Sequence, residues 1–114
     1  MSSPIVADIL QLSHGVGPDE RDRVVAAFSR LDERFRSFPE GGVELALSVK
    51  ERDTPSQRTT LEAWIAGQPR IVATSVRTDF DAALAEVRDD MVRQISDAKN
   101  RTEPRNNRAG RETL

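Results

Sequence analysis

Val43-Glu44-Leu45-Ala46-Leu47-Ser48-Val49-Lys50 carries an aliphatic residue at every odd position and Glu, Ala, Ser or Lys between them. Strand side chains point alternately to opposite faces, so a period of two predicts a half-buried strand with one apolar and one wet face. Such a strand needs paired neighbours and a covering layer. On its C-terminal side, Glu51 to Gln57 reads as a polar loop around Thr54-Pro55-Ser56. Two short β-type runs follow, Thr59–Ala66 and Arg70–Val76, and the turn residues Gly67-Gln68-Pro69 between them predict an antiparallel hairpin.

Helical spacing flanks this block on both sides. Val24, Phe28, Leu31, Phe35 and Phe38 recur at steps of four and three, an apolar stripe that ends at Pro39-Glu40-Gly41-Gly42. Gly17 or Asp19 can cap the start of that helix, with Pro18 tolerated in the first turn and Glu20 and Asp22 favoured there by the helix dipole. A second stripe, Phe80, Leu84, Val87, Met91 and Ile95, follows a cap at Thr78 or Asp79 and predicts a helix to about Lys99. Pro4 to Leu12 (PIVADILQL) is rich in aliphatic and β-branched residues, and His14-Gly15-Val16-Gly17-Pro18 breaks it, so it reads as the first strand. The order is then β-α-β-β-β-α. Two one-striped helices on one face of a four-stranded sheet give an α+β two-layer sandwich.

A chain of 114 residues with 37% hydrophobic content suits one folded unit, expected over residues 1–101. Residues 102–114 offer almost nothing to bury and include Pro104, Asn106-Asn107 and Gly110, so a disordered basic tail is expected. With no cysteine, disulfides and thiolate metal sites are excluded. The first residues lack a basic leader, and no apolar run approaches the ~20 residues of a bilayer span. A soluble, cytoplasmic protein is expected.

The formal net charge of −2 is unevenly spread. From Arg93 onward, Arg93, Lys99, Arg101, Arg105, Arg108 and Arg111 face Asp97, Glu103 and Glu112, whereas the rest of the chain is acidic. This polarity suggests an anionic partner met mainly by one end.

Asp79 to Arg101, DFDAALAEVRDDMVRQISDAKNR, resembles the last helix of the ribosome hibernation promoting factor and ribosome-associated inhibitor family, through Asp79, Ala82, Ala83, Leu84, Arg93, Gln94, Ile95, Lys99 and Arg101. AAFSRLDERFRSF, Ala26 to Phe38, is similar to the family's first helix in its spacing of Phe, a basic residue, Leu and a second aromatic. Order, spacing and length agree over about residues 4 to 101, and the absence of a second domain makes the chain resemble the short form. The resemblance implies a factor that fills the groove of the small ribosomal subunit where messenger and transfer RNA lie, with basic residues of both helices against ribosomal RNA. It implies no enzyme activity, cofactor, metal or small-molecule substrate, and a monomer off the ribosome. The chain departs from the family in carrying Asp90 and Asp97 where relatives often have Lys, and Asp81 where they often have Tyr.

The candidate RNA-binding residues fall into three sets. Arg23, Arg30 and Arg34 lie seven and four apart on a flank of the first helix, where guanidinium forks could meet phosphates or simply face solvent. Arg88, Arg93, Lys99 and Arg101 form the second, with Asp89–Arg93 and Asp97–Arg101 as competing i,i+4 pairs worth about 0.3–0.5 kcal/mol each. Arg105 and Arg108, with Arg111, recur every third residue in the tail and could follow an RNA strand. Trp64, the sole tryptophan, could stack on a base if it stands on the open sheet face, but covering apolar surface is the commoner role and the one expected. His14 has no companions for a metal site or triad, and Asp89-Asp90 point to different sides of a helix, so no acid-base pair arises. The alternatives are a general RNA-binding module like the double-stranded RNA-binding α-β-β-β-α domain, or a protein-interaction domain of the same fold that has lost RNA affinity.

Overall fold

The computed structural model of the chain describes residues 5–36, 38 and 42–102, with side chains from Val6 to Asp97. Helix α1 covers Ile5–Ile9, strand β1 Leu10–Leu12, a 3-10 turn Pro18–Glu20, helix α2 Arg21–Ala27 and helix α3 Leu31–Phe35. Strands β2 (Val43–Lys50), β3 (Arg58–Ile65) and β4 (Ile71–Ser75) follow, then helix α4, Phe80–Thr102. The sheet order is β1-β2-β3-β4, with β1 parallel to β2 and the other pairs antiparallel. All helices lie on one face, which makes the expected α+β two-layer sandwich.

The alternation in β2 sets the register. Val43, Leu45, Leu47 and Val49 are buried, and their β3 partners Ile65, Ala63, Leu61 and Thr59 share that inner face. On β4, Ile71, Ala73 and Ser75 complete it. Both helical stripes pack here: Val24, Phe28, Leu31 and Phe35 from one side and Phe80, Leu84, Val87, Met91 and Ile95 from the other. Asp79 caps α4 as the spacing predicts, its carboxylate accepting the Ala82 N–H at 2.9 Å.

Two elements differ from expectation. The first strand is reduced to Leu10–Leu12, because Ile5–Ile9 is helical. Its buried positions Val6 and Leu10 are four apart, a helical step hidden inside an aliphatic run. Tertiary partners hold this short helix: the Asp32 carboxylate accepts the Val6 N–H at 2.8 Å, and the Arg21 guanidinium donates to the Ala7 and Leu10 carbonyls at 2.7 and 3.0 Å. The first long helix is broken into α2 and α3 by a tightened turn, with Leu31 and Asp32 donating to Phe28 and Ser29 at 2.9 and 3.1 Å. The apolar stripe continues across the break because Phe28 and Leu31, on either side of it, are both fully buried.

Gly15 holds the chain close to β2 with φ of +81°, and a Cβ there would lie 2.1 Å from the Val49 carbonyl oxygen. Gly15→Ala should therefore lower stability by roughly 1–3 kcal/mol, read by thermal unfolding followed by circular dichroism.

Arg52, in the β2–β3 loop, joins three connections. Its guanidinium donates to both Glu20 oxygens at 3.1 and 2.7 Å and to the Gly15 carbonyl at 2.5 Å, and it stacks 4.0 Å from the centre of the Phe80 ring. Hydrogen bonding from Arg52, helped by the Gly17 N–H, holds the Glu20 carboxyl down from 4.5 to about 2. The resulting stability is fully present above pH 4.5 and is lost as pH falls toward 2. In acid titrations of unfolding free energy, Glu20→Gln should be less stable than wild type at neutral pH and should lose less stability across that interval.

Candidate nucleic-acid interface

The exposed side of the helical layer gathers most of the expected arginines that lie within the described residues. Arg23 of α2 meets Asp81 of α4, Arg88 of α4 reaches the end of α2, and Arg30 and Arg34 border a cleft with Asp89 and Val92. Residues of α2 and α3 thus meet α4 in the same order, so the segments run side by side in one direction. Arg93 lies further along α4, 72% exposed.

The charge on this surface is a mosaic. The Arg23 guanidinium donates to Asp81 through Nε at 2.8 Å and lies 5.1 Å from the Phe80 ring centre. Hydrogen bonding between the two raises the Arg23 pKa and lowers that of Asp81. Arg88 pairs with Asp89 at 2.9 Å and donates to the Ala27 carbonyl at 3.4 Å, which makes it a strut between α2 and α4 as well as a surface cation. Arg93 pairs with Asp90. The expected Asp89–Arg93 pair is not formed, because Arg88 takes Asp89 and Asp90 lies on the α4 flank that Arg93 shares with Gln94. Two of the acidic departures, Asp81 and Asp90, therefore neutralise candidate RNA-binding arginines directly. Lys99 and Arg101 are on α4, with side chains outside the described residues, as is the Asp97–Arg101 pair; Arg105, Arg108 and the rest of the tail lie outside them too.

The other side of the sheet has a different character. Trp64 stands on it, 41% exposed, instead of covering the core. Strand parity shows why: Leu61, Ala63 and Ile65 face inward, so Glu62 and Trp64 face outward. Glu44 is directly opposite Trp64, the row Ser48–Thr60–Thr74 crosses the middle of this face, and Lys50 is opposite Arg58 at its end. Glu62 pairs with Arg70 at 3.1 Å.

Among the described residues no group of three His, Cys, Asp or Glu side chains could hold a metal ion, and no helix is long and apolar enough to cross a membrane.

No family model matches the sequence, and no curated protein matches it. A solved structure does. The N-terminal domain of Thermus thermophilus Protein Y is similar with a TM-score of 0.56 and 17% sequence identity, covering 78% of this chain and 97% of that chain. At that identity the likeness is one of fold, and it spans nearly all of the solved domain.

Removing the Arg88 guanidinium while keeping its apolar stem, as in Arg88→Met, should destabilise the fold by about 1–2 kcal/mol through the lost Ala27 contact. Chemical denaturation would read this as a lower midpoint with an unchanged slope.

Proposed function

We propose that this chain is a ribosome-associated factor of the hibernation type, which binds the small subunit near the decoding region and inhibits translation by occupying the messenger and transfer RNA site. The observation that supports this reading is that α2–α3 and α4, whose spacing resembles that of the family's helices, lie in parallel on one face of a sandwich similar in fold to the Protein Y N-terminal domain. Arg30, Arg34, Arg88 and Arg93 share that surface. On this reading the protein is a binder and not an enzyme, it needs no cofactor or metal, and Lys99, Arg101, Arg105 and Arg108 extend the contact beyond the helical layer.

The paired charges give the surface a definite energetic character. Arg23 and Arg93 must exchange a carboxylate for a phosphate, so each contributes less to affinity than an unpaired cation of the same geometry. The same pairing supports a second reading, a protein-interaction domain of this fold with little RNA affinity.

Co-sedimentation with purified small subunits across a salt series separates the two. The ribosome reading expects association at low salt that declines as salt rises, together with inhibition of translation in a cell-free system. Asp90→Asn should strengthen association and steepen the salt dependence by about 0.7–0.9 in log–log slope if Arg93 then meets one phosphate. No association at any salt concentration would sink the proposal.

A further inference from the structure

We propose that the open sheet face is a second binding site, for a short single-stranded RNA segment, distinct from the helical surface and going beyond ribosome association through it. Lys50 and Arg58 face each other in register across β2 and β3 on the outer face, and among the described residues neither meets a carboxylate. Like charges directly opposite on paired strands repel, so this arrangement is unfavourable in the free protein and is relieved by an anion placed between them. The contrast with the helical layer is plain, since Arg23, Arg88 and Arg93 there each hold an aspartate.

From this cationic pair the face leads toward Trp64, six residues along β3 from Arg58 and roughly 20 Å away at the rise of a strand. That length suits about four nucleotides. Two rows lie between: Ser48, Thr60 and Thr74, short hydroxyl side chains that can bond sugar hydroxyls and base edges, and Ala46, Glu62 and Val72, in which Arg70 compensates the Glu62 carboxylate at 3.1 Å. Trp64 presents an indole on which a base can stack, and Val72 on β4, 36% exposed, adds apolar surface on the same face. Glu44, opposite Trp64, is an acceptor that favours a base bearing an amino group, so cytidine is a better occupant than uridine. A phosphate at Lys50 and Arg58 and a base on Trp64 give the ligand its chemistry: an anionic backbone carrying planar rings.

The sole tryptophan of the chain is its own probe. A hexacytidylate RNA titrated into the full chain at low ionic strength should quench Trp64 emission saturably, with affinity falling as salt rises. The double variant Lys50→Glu, Arg58→Glu should bind at least about tenfold more weakly, and Trp64→Ala, followed by anisotropy of labelled RNA, about fivefold or more. Circular dichroism melts show whether either variant has unfolded; if one has, Lys50→Gln, Arg58→Gln serves in its place with the same direction of effect. Co-sedimentation of the double variant with small subunits should match wild type, so the two readings can fail separately. Absence of quenching, quenching of equal affinity in the charge variants, or burial of Trp64 by protein self-association without RNA overturns the proposal.

Discussion

Arg52 is the side chain on which the relative placement of the outer elements depends. β2, β3 and the helical stripes supply the buried area, and at one end of the sandwich Arg52 ties together three connections that Arg23–Asp81 and the backbone bond from Val49 to His14 link only in pairs. A single guanidinium meets the turn after β1 through Gly15, the start of the α2 segment through Glu20 and the first residue of α4 through Phe80. A planar cation suits this position because its edge can donate several hydrogen bonds while its face lies on an aromatic ring. Gln57 works from the same loop, its amide bonding the Asp53 N–H and the Arg77 and Thr78 carbonyls, so the chain entering α4 is held on both sides.

That end of the molecule also sets the character of the helical surface. Arg23 lies between Glu20, Phe80 and Asp81, so the network that positions α4 also absorbs a cation that the first helix presents. Further along, Arg88 and Arg93 are drawn to Asp89 and Asp90. The layer expected to be the more basic one is therefore largely self-compensated, and its outer charge is carried by alternating signs. A polyanion meeting it has to compete with aspartates that are already in place.

The sheet face follows the opposite logic. Of its two acidic strand residues, Glu62 is occupied by Arg70 and Glu44 stands opposite Trp64, while its cations Lys50 and Arg58 stand together at the other end without a counterion among the described residues. Apolar surface is present there as well: among the described residues Trp64, Val72 and Val76 are the exposed large hydrophobics, the first two on the outer face of β3 and β4 and the third just after β4. A partly apolar face with uncompensated cations at one end is suited to planar rings on an anionic backbone, whereas the charge mosaic of the helices is suited to shape-matched contact.

Most of the architecture was legible in the residues alone. The period of two in Val43–Lys50, the turn signal at Gly67-Gln68-Pro69 and the two apolar stripes determined the sandwich, because burial on one face leaves a periodic trace in the sequence. The helical nature of Ile5–Ile9 did not show, since a short segment rich in aliphatic residues fits both periods and only the distant partners Asp32 and Arg21 decide between them. The break between α2 and α3 was hidden because the stripe passes through it unchanged. Candidate arginines could be named from spacing, but their ion partners depend on which carboxylates packing brings near: Arg23 meets Asp81 across 58 residues, and Arg93 takes Asp90 in place of Asp89. Strand parity could already assign Trp64 to the outer face, yet whether that face was covered is a property of layers, and only the tertiary structure decided it.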